Sequence, residues 1–441
     1  MSRPSRRRDA ARTVAFKVLR EVWGNDAYAN LELSHQRTGL HTADAAFATE
    51  LVAGTCRALG TYDRIIERAS GRSLKSLQPA VIDVLRLGTH QLLAMRVPPH
   101  AAISATVDLA ALEVGERVAG VVNAILRRVA ERDWEGWLEV LGAGVDELGR
   151  LALAEHHPRW IVDAWAQVLP PEELPAALAA DNTAAAPCLV VRPGLAERSE
   201  LGGVPTTWSP YGAHRDGDPG AVAAVREGRA GVQDEGSQLV ALALARATAP
   251  AGAWLDLCAG PGGKSALLAG LALQSEAMLV AAELQPHRAR LVAENLRGYA
   301  GPGAPVTVVA DGLRPAWRDG AFSRVLADVP CTGLGALRRR PESRWRRQPT
   351  DLPKLVALQK ALLATAIRSV RPGGVVAYVT CSPHPAETVD VVATAVGVEV
   401  LSAPDHLPEI PDAAFGDFVQ LWPHRHGTDA MFLSLLRRVD R

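Results

Sequence analysis

Net charge is missing from this chain: 48 lysines and arginines balance 48 aspartates and glutamates. No global field therefore singles out a nucleic acid, a membrane or an acidic protein as partner. Cysteine is scarce, five in 441 residues, and no two are spaced as CxxC. That excludes a disulfide scaffold and leaves no zinc-ribbon spacing, so no metal is expected. No apolar run approaches the roughly 20 residues needed to cross a bilayer. The basic N-terminus lacks the apolar stretch of a signal peptide. Internal repeats and low-complexity tracts are absent as well. The expectation is a cytoplasmic, monomeric protein with reduced thiols.

What is present is ample core material, 48% apolar against 22% charged residues, in a length that favours two or three domains. The neutral sum also hides local asymmetry. Residues 1–20 hold Arg3, Arg6, Arg7, Arg8, Arg12, Lys17 and Arg20 against Asp9 alone, and residues 338–347 hold six arginines against Glu342.

Residues 1–145 predict an all-helical domain. Helical spacing places Val14, Val18, Leu19 and Val22 on one face, then Phe47, Leu51 and Val52, then Val81, Val84, Leu85 and Leu92. Gly71 and Pro98-Pro99 punctuate these segments. Residues 146–235 are less regular, with one strand-like run at 188–193, and predict a small mixed connecting subdomain or a linker. From 236 to 441 short apolar runs at 253–258, 277–283, 305–311, 323–329 and 374–380 alternate with helical stretches. That pattern predicts parallel βαβ units in a doubly wound, Rossmann-like α/β domain. Ligands in such folds sit at the carboxyl ends of the strands.

The first of these strands runs into Asp256-Leu-Cys258-Ala259-Gly260-Pro261-Gly262-Gly263-Lys264-Ser265. A Walker A loop needs GxxxxGK[ST], but its first glycine falls on Cys258. A dinucleotide fingerprint needs GxGxxG, but its third glycine falls on Ser265. A short Gly-x-Gly-Gly turn behind an acid lets backbone approach a nucleoside closely, and this third reading suits S-adenosylmethionine. Glu283 ends the second strand, where an acid takes ribose hydroxyls, and Asp311 ends the third, placed to accept from the adenine amine.

Two more strands end in Asp328-Val-Pro-Cys331 and Thr380-Cys381-Ser382. Lone cysteines are usually small buried hydrophobes, which is the reading for Cys56 and Cys188. Cys331 and Cys381 instead follow strand ends, and neighbouring strands lie about 4.8 Å apart. Two thiols beside a methyl-sulfonium donor suit one chemistry. A thiolate adds to carbon 6 of cytosine, carbon 5 becomes nucleophilic, and a carboxylate such as Asp328 steadies the activated base.

The runs DEGSQL (234–239), DLCAGPGGKS (256–265), DVPCTGLGALRRRPESRW (328–345), TCSPHPAET (380–388) and GTDAMF (427–432) resemble the RNA 5-methylcytosine methyltransferase family. Within it they resemble specifically the branch (RsmB, Sun, Fmu) acting on small-subunit ribosomal RNA. The helical region, with VVNAILRRV at 121–129, resembles the NusB-type RNA-binding domain of that branch. The resemblance implies a fold of two parts, an all-α NusB-like domain and a class I methyltransferase domain. It implies Cys381 as nucleophile, Cys331 assisting product release and Asp328 contacting the base near the cofactor. Cys258, Ala259, Gly260, Pro261, Gly262, Gly263, Lys264, Glu283 and Asp311 would bind S-adenosylmethionine. The substrate implied is 16S ribosomal RNA, with transfer RNA and a non-catalytic RNA-binding scaffold as alternatives. Val329 and the SPHPAET sequence depart from the family's common residues, although Glu387 keeps one acid there. The run Arg338, Arg339, Arg340, Arg344, Trp345, Arg346 and Arg347 is expected to hold phosphates and stack a base, or else to be a solvated loop. The Arg6–Arg8 cluster reads either as a contact to ribosomal RNA or as a disordered soluble tail.

Overall fold

In the computed structural model residues 6–439 are described, and they divide into two compact units. The first comprises the chain up to Thr183 together with Leu337–Arg347, and the second comprises Ala184–Ala336 and Gln348 onward. Arg3 of the basic N-terminus lies outside the described residues. Among the described residues no helix is long and apolar enough to cross a membrane.

The first unit is helical: α1 (Ala10–Gly24), α2 (Ala29–Gln36), α3 (Thr42–Ser70), α4 (Pro79–Leu93), α5 (Pro99–Glu113), α6 (Glu116–Val129), α7 (Trp134–Gly142), α8 (Glu147–Ala154), α9 (Arg159–Trp165) and α10 (Leu174–Ala180). Local chemistry sets the ends. Asp9 caps α1 by accepting from the Arg12 amide at 2.9 Å. Pro79 opens α4, where its missing N–H costs nothing. Gly71 closes α3 in the left-handed conformation at φ 67°. The periodic apolar residues do face one core: Val18, Leu19, Val22, Leu51, Val52, Val81, Val84 and Leu85 are buried together, with Val14, Phe47 and Leu92 packed at its edge.

This unit runs past residue 145, where the sequence suggested a boundary. The helices α8 to α10 are only seven or eight residues long, too short for periodicity to announce them, yet Ile161, Val162, Trp165 and Leu178 are fully buried. The expected subdomain at 146–235 is thus divided. Its helical half belongs to the first unit, and its remainder forms a four-stranded antiparallel sheet in the second. The strands of that sheet, β1 (Cys188–Val191), β2 (Val204–Pro205), β3 (Gly212–His214) and β4 (Ala230–Val232), lie in the order β2-β3-β1-β4.

The rest of the second unit is an α/β domain. Its strands are β5 (Trp254–Asp256), β6 (Leu279–Glu283), β7 (Val306–Val309), β8 (Phe322–Asp328), β9 (Val370–Thr380), β10 (Val398–Leu401), β11 (Ala414–Phe415), β12 (Phe418–Gln420) and β13 (Phe432–Arg438). They form one mixed sheet in the order β11-β12-β13-β9-β8-β5-β6-β7, with β10 also paired to β13. Pairing is parallel from β7 to β9 and antiparallel beyond. Alternation along β9 feeds two cores: Val375, Ala377 and Val379 pack on one side of the sheet, Val376 and Tyr378 on the other. The order reverses direction at β5, which has β6 on one flank and β8 on the other. That is the switch point where α/β sheets bind ligands, at the strands' carboxyl ends.

The arginine run does not form the exposed RNA-holding loop expected of it. Arg344 is fully buried in the first unit and donates to the carbonyls of His156 (3.0 Å) and Asp181 (3.2 Å) and to Asn182 Oδ1 (2.9 Å). Desolvation pulls its pKa down to about 10. Trp345 donates its indole N–H to the Arg57 carbonyl at 3.0 Å, and its ring lies so close to Gly60 that a Cβ there would meet Cζ3 at 2.0 Å. Arg346 donates to the carbonyls of Val22 and Ala27, and the Arg340 guanidinium sits 4.6 Å from the Tyr28 ring centroid. Arg338, Arg339 and Arg347 are half-buried. The N-terminal cluster is also engaged, with Arg6 paired to Asp108 and Glu116, both at 2.8 Å, and Arg8 to Glu113 at 3.1 Å. Removing Arg344 strands buried acceptors, so Arg344→Ala should cost the helical unit about 3 kcal/mol or more, while Arg347→Ala should stay within about 0.5 kcal/mol of the parent. Urea unfolding midpoints test this, and equal small effects would contradict the anchoring.

Candidate active site

The glycine loop leaves β5 and enters α11 (Gly263–Gln274). Asp256, the acid ahead of the glycine turn, is buried and accepts the Ser265 hydroxyl at 2.6 Å, tying strand end to helix start. Burial pushes its pKa up to about 7, with the Ser265 hydroxyl working against that rise. Two of the three glycines have a packing reason. A Cβ on Gly260 would lie 2.2 Å from Glu283 Oε2. Gly262 has φ 111° and its Cβ would meet the Val292 Cα at 2.9 Å, so the loop must press against the helix Pro286–Leu296. Gly263 has no atom nearer than 3.9 Å to such a Cβ, so the helix start is open. Asn295 fixes the loop from behind, donating to the Pro261 carbonyl at 2.9 Å.

Three acids end successive strands around this loop. Glu283 is buried, accepting from the Gly260 amide at 3.0 Å and the Gln285 amide at 2.9 Å. Asp311 accepts from the Leu313 amide at 2.9 Å. Asp328 pairs with the Lys264 ammonium at 2.8 Å. Burial lowers the Lys264 pKa, but the Asp328 carboxylate outweighs it and the net shift is upward. Cys258 and Ala259 complete the loop, the Cys258 thiol kept protonated by burial and by the surrounding carboxylates. A hydrogen-bond-donor-rich cation, with a sulfonium, an ammonium, a ribose diol and an adenine amine, matches this carboxylate-rich rim. Among the described residues no cluster of histidine, cysteine and acid side chains could hold a metal ion.

Cys331 and Cys381 meet, their sulfurs 3.4 Å apart. The register of β8 on β9 places Asp328 beside Val379, so the loops leaving the two strands start side by side. The Gly335 amide donates to the Cys381 carbonyl and the Ala430 amide to the Gly335 carbonyl, both at 2.8 Å. The runs at 234–239 and 427–432 join here, since Asp234 Oδ2 accepts from the Asp429 amide at 3.0 Å.

The thiols are unequal. The hydrogen bond between the two sulfurs draws the Cys381 pKa down, helped by Lys264 and opposed by burial, Asp328 and Asp429. Cys331 is driven up by that same bond, by burial and by the charges of Cys381 and Glu387.

In the sequence Glu387 stands only as a retained acid with no role of its own. It is fully buried. It accepts from the Thr332 amide at 2.8 Å, from the Thr332 hydroxyl, from the Ser382 hydroxyl at 2.6 Å and from Gln359 Nε2 at 2.9 Å. One carboxylate thereby ties the residue after Cys331 to the residue after Cys381. Nothing local signals this, because Thr332 and Gln359 are 55 and 28 residues away in sequence.

Two outcomes follow. Glu387→Ala strands several buried donors at about 1–3 kcal/mol each, so the unit's unfolding free energy should fall by at least about 3 kcal/mol; an unchanged urea midpoint would refute the clamp. Cys331→Ala removes the largest influence lowering the Cys381 pKa, so the pH profile of Cys381 alkylation by iodoacetamide should move to higher pH. A profile that stays in place would show that Cys331 does not set the Cys381 pKa.

Residues 242–437 match the family model "16S rRNA methyltransferase RsmB/F" and residues 9–131 match the NusB family. A protein of Mycobacterium tuberculosis whose name goes no further than methyltransferase is 50% identical over 99% of both chains. Ribosomal RNA small subunit methyltransferase B of Pseudomonas putida is 32% identical, over 86% of this chain and 87% of its own. The crystal structure of PH0851 shares the fold across 99% of this chain and 100% of its own, with TM-score 0.80 at 20% identity. NSun6 from Pyrococcus horikoshii with SFG covers 64% of this chain and 99% of its own, with TM-score 0.55 at 17% identity. With a relative this similar end to end and both family models in the order its two units require, the chain belongs to the RsmB/F family of S-adenosylmethionine-dependent rRNA methyltransferases, and carries a NusB domain ahead of the catalytic one.

Proposed function

We propose that this protein methylates carbon 5 of a cytosine in 16S ribosomal RNA through a covalent adduct on Cys381. The observation that carries this reading is the pair of sulfurs 3.4 Å apart at the ends of β8 and β9, beside the Lys264–Asp328 ion pair. The ribosomal target is supported by the family match and by the Pseudomonas putida relative's name.

The loop from Cys258 to Lys264 receives S-adenosylmethionine, with Glu283 on the ribose hydroxyls and Asp311 on the adenine amine. When bound, S-adenosylmethionine supplies an electrophilic methyl group. Cys381 begins as the thiolate, accepting a hydrogen bond from the Cys331 thiol. Its sulfur adds to carbon 6 of the flipped cytosine, and the displaced electron pair makes carbon 5 nucleophilic. Asp328 accepts from the base amine and steadies the adduct. Carbon 5 takes the methyl group, whose bond to the sulfonium sulfur would break with its electron pair left on a neutral thioether.

Adduct formation also resets Cys331. The Cys381 sulfur, now bonded to carbon, no longer carries the charge that held the Cys331 pKa up. Cys331 loses its proton to solvent and, as thiolate, removes the proton from carbon 5. That C–H electron pair becomes the carbon 5–carbon 6 double bond, and Cys381 leaves as thiolate. One methyl cation has replaced one proton on the ring, and Cys331 has assisted release.

The two cysteine variants separate these roles. Cys331→Ala is expected to accumulate a denaturation-resistant protein–RNA adduct, visible as a shifted band, because release is impaired. Cys381→Ala should form none and be inactive with labelled donor. The reverse pattern would exchange the roles. RNA binding without methyl transfer by the parent protein would instead make it a scaffold, and methylation confined to transfer RNA would move the substrate.

A further inference from the structure

If Arg344, Trp345 and Arg346 are spent on internal contacts, RNA must be held elsewhere, and the first unit carries an unassigned candidate. Its arginines fall into two groups. Arg6, Arg8, Arg12, Arg20, Arg86 and Arg159 each pair with a carboxylate. A second group gathers where α3 and α6 end. Arg64, Arg68 and Arg72 line one groove with Glu67; Arg68, Arg128 and Arg132 line an adjoining one with Glu131; the two grooves share Arg68 and Gly71. Five arginines thus face two glutamates, in a chain whose net charge is zero.

All five arginines are exposed. Among the described residues none of them forms an ion pair. Arg64 and Arg68 stand one turn apart on one face of α3, and Arg72 follows just beyond Gly71. Arg128 donates to the Ala69 carbonyl at 3.2 Å, which brings the end of α6 to the end of α3. Arg132 lies over the Trp137 ring, 5.5 Å from its centroid. Basic residues do favour a helix C-terminus through the macrodipole, at about 0.3–1 kcal/mol each. That accounts for Arg68 and Arg128 in the last turns. It does not account for Arg64, which lies further back, nor for Arg72 and Arg132, which lie beyond the helices. Placing like charges together without partners raises the energy of the free protein unless an anion completes the site.

We infer that the grooves lined by Arg64, Arg68, Arg72, Arg128 and Arg132 form one track for the phosphates of an RNA strand. The guanidinium fork suits phosphate oxygens better than an ammonium would. Continuity across two grooves suits a polyanion with regularly repeated charge rather than a single bound ion. The track rests on the reading of RNA as substrate, and it adds a binding site on the NusB unit that involves none of the residues placed at the cysteines or the cofactor loop.

The test uses the full-length protein with Arg64→Ser, Arg68→Ser and Arg72→Ser combined, all exposed positions. Filter binding to 16S ribosomal RNA and methyl transfer are read at several salt concentrations. The expected result is RNA affinity weakened at least about tenfold, with a salt slope shallower by about 2–3, near 0.7–0.9 per lost phosphate contact. The KM for S-adenosylmethionine and the kcat at saturating RNA should match the parent. Unchanged RNA affinity and slope would overturn the track. So would unchanged RNA affinity with lost binding to polyglutamate, which would mark the grooves as a seat for an acidic protein. Binding distinguishes this inference from the catalytic one. A parent that binds RNA without methylating it, and a triple variant that loses that binding, would sink the methylation chemistry and leave the track standing.

Discussion

The parallel pairing of β8 with β9 is the constraint on which the chemistry hangs. Asp328 and Val379 are register partners, so the loop carrying Cys331 and the loop carrying Cys381 begin at the same height on neighbouring strands. Pairing alone would leave two flexible loops and two drifting thiols. Glu387 removes that freedom by accepting hydrogen bonds from both loops at once. A carboxylate buried to this degree is unfavourable unless its lone pairs are filled, and here donors from Thr332, Ser382 and Gln359 fill them. The group that holds the loops also adds its negative charge to the hydrogen bond with Cys381 and the burial that drive the Cys331 pKa up. The placing of the two loops and part of the Cys331 protonation therefore share one cause.

Electrostatics extend the same logic to the cofactor side. Glu283, Asp311 and Asp328 end three strands whose carboxyl ends converge at the switch point of the sheet; Lys264 stands among them paired to Asp328 at 2.8 Å, and Arg288 lies 3.9 Å from Glu283. Lys264 is near enough to Cys381 to favour its thiolate, while Asp328 opposes it. The ion pair therefore holds opposing influences on one sulfur. A base amine that engages Asp328 would weaken that opposition as the substrate arrives.

Much of this was legible in the sequence, for a physical reason. Strand ends are marked locally, by an apolar run that stops at an acid or a cysteine, and the βα alternation tells which end binds ligands. Cys331, Cys381, Asp328, Glu283 and the glycine loop could be placed together on that basis. The glycines themselves were credited to ligand approach, yet Gly260 and Gly262 are required first by Glu283 and by the helix behind the loop. The part Asp256 plays was not legible for a related reason: its partner Ser265 is close in sequence, but its burial depends on the whole sheet. The Glu387 clamp was invisible because its partners come from two other segments. The middle region resisted reading because strands of two to four residues and helices of seven or eight carry too little periodicity.

The arginines show most clearly what composition cannot supply. The run at 338–347 and the set around Gly71 are the same residue type, and the denser run looked the better RNA ligand. Density in sequence says nothing about desolvation. Arg344 is buried against two carbonyls and an asparagine oxygen, and Arg346 donates to two further carbonyls, so these guanidiniums are taken up by the fold. A guanidinium tolerates this because its fixed fork can satisfy several backbone acceptors at once, and its charge persists even with its pKa drawn down to about 10. Arg64, Arg68 and Arg72 are spread along a helix and past its cap, look sparse in sequence, and keep their donors in solvent. Binding capacity therefore follows from which donors remain unspent after folding, and a charge run tightly interleaved with tryptophan, proline and glutamate is the kind most readily spent.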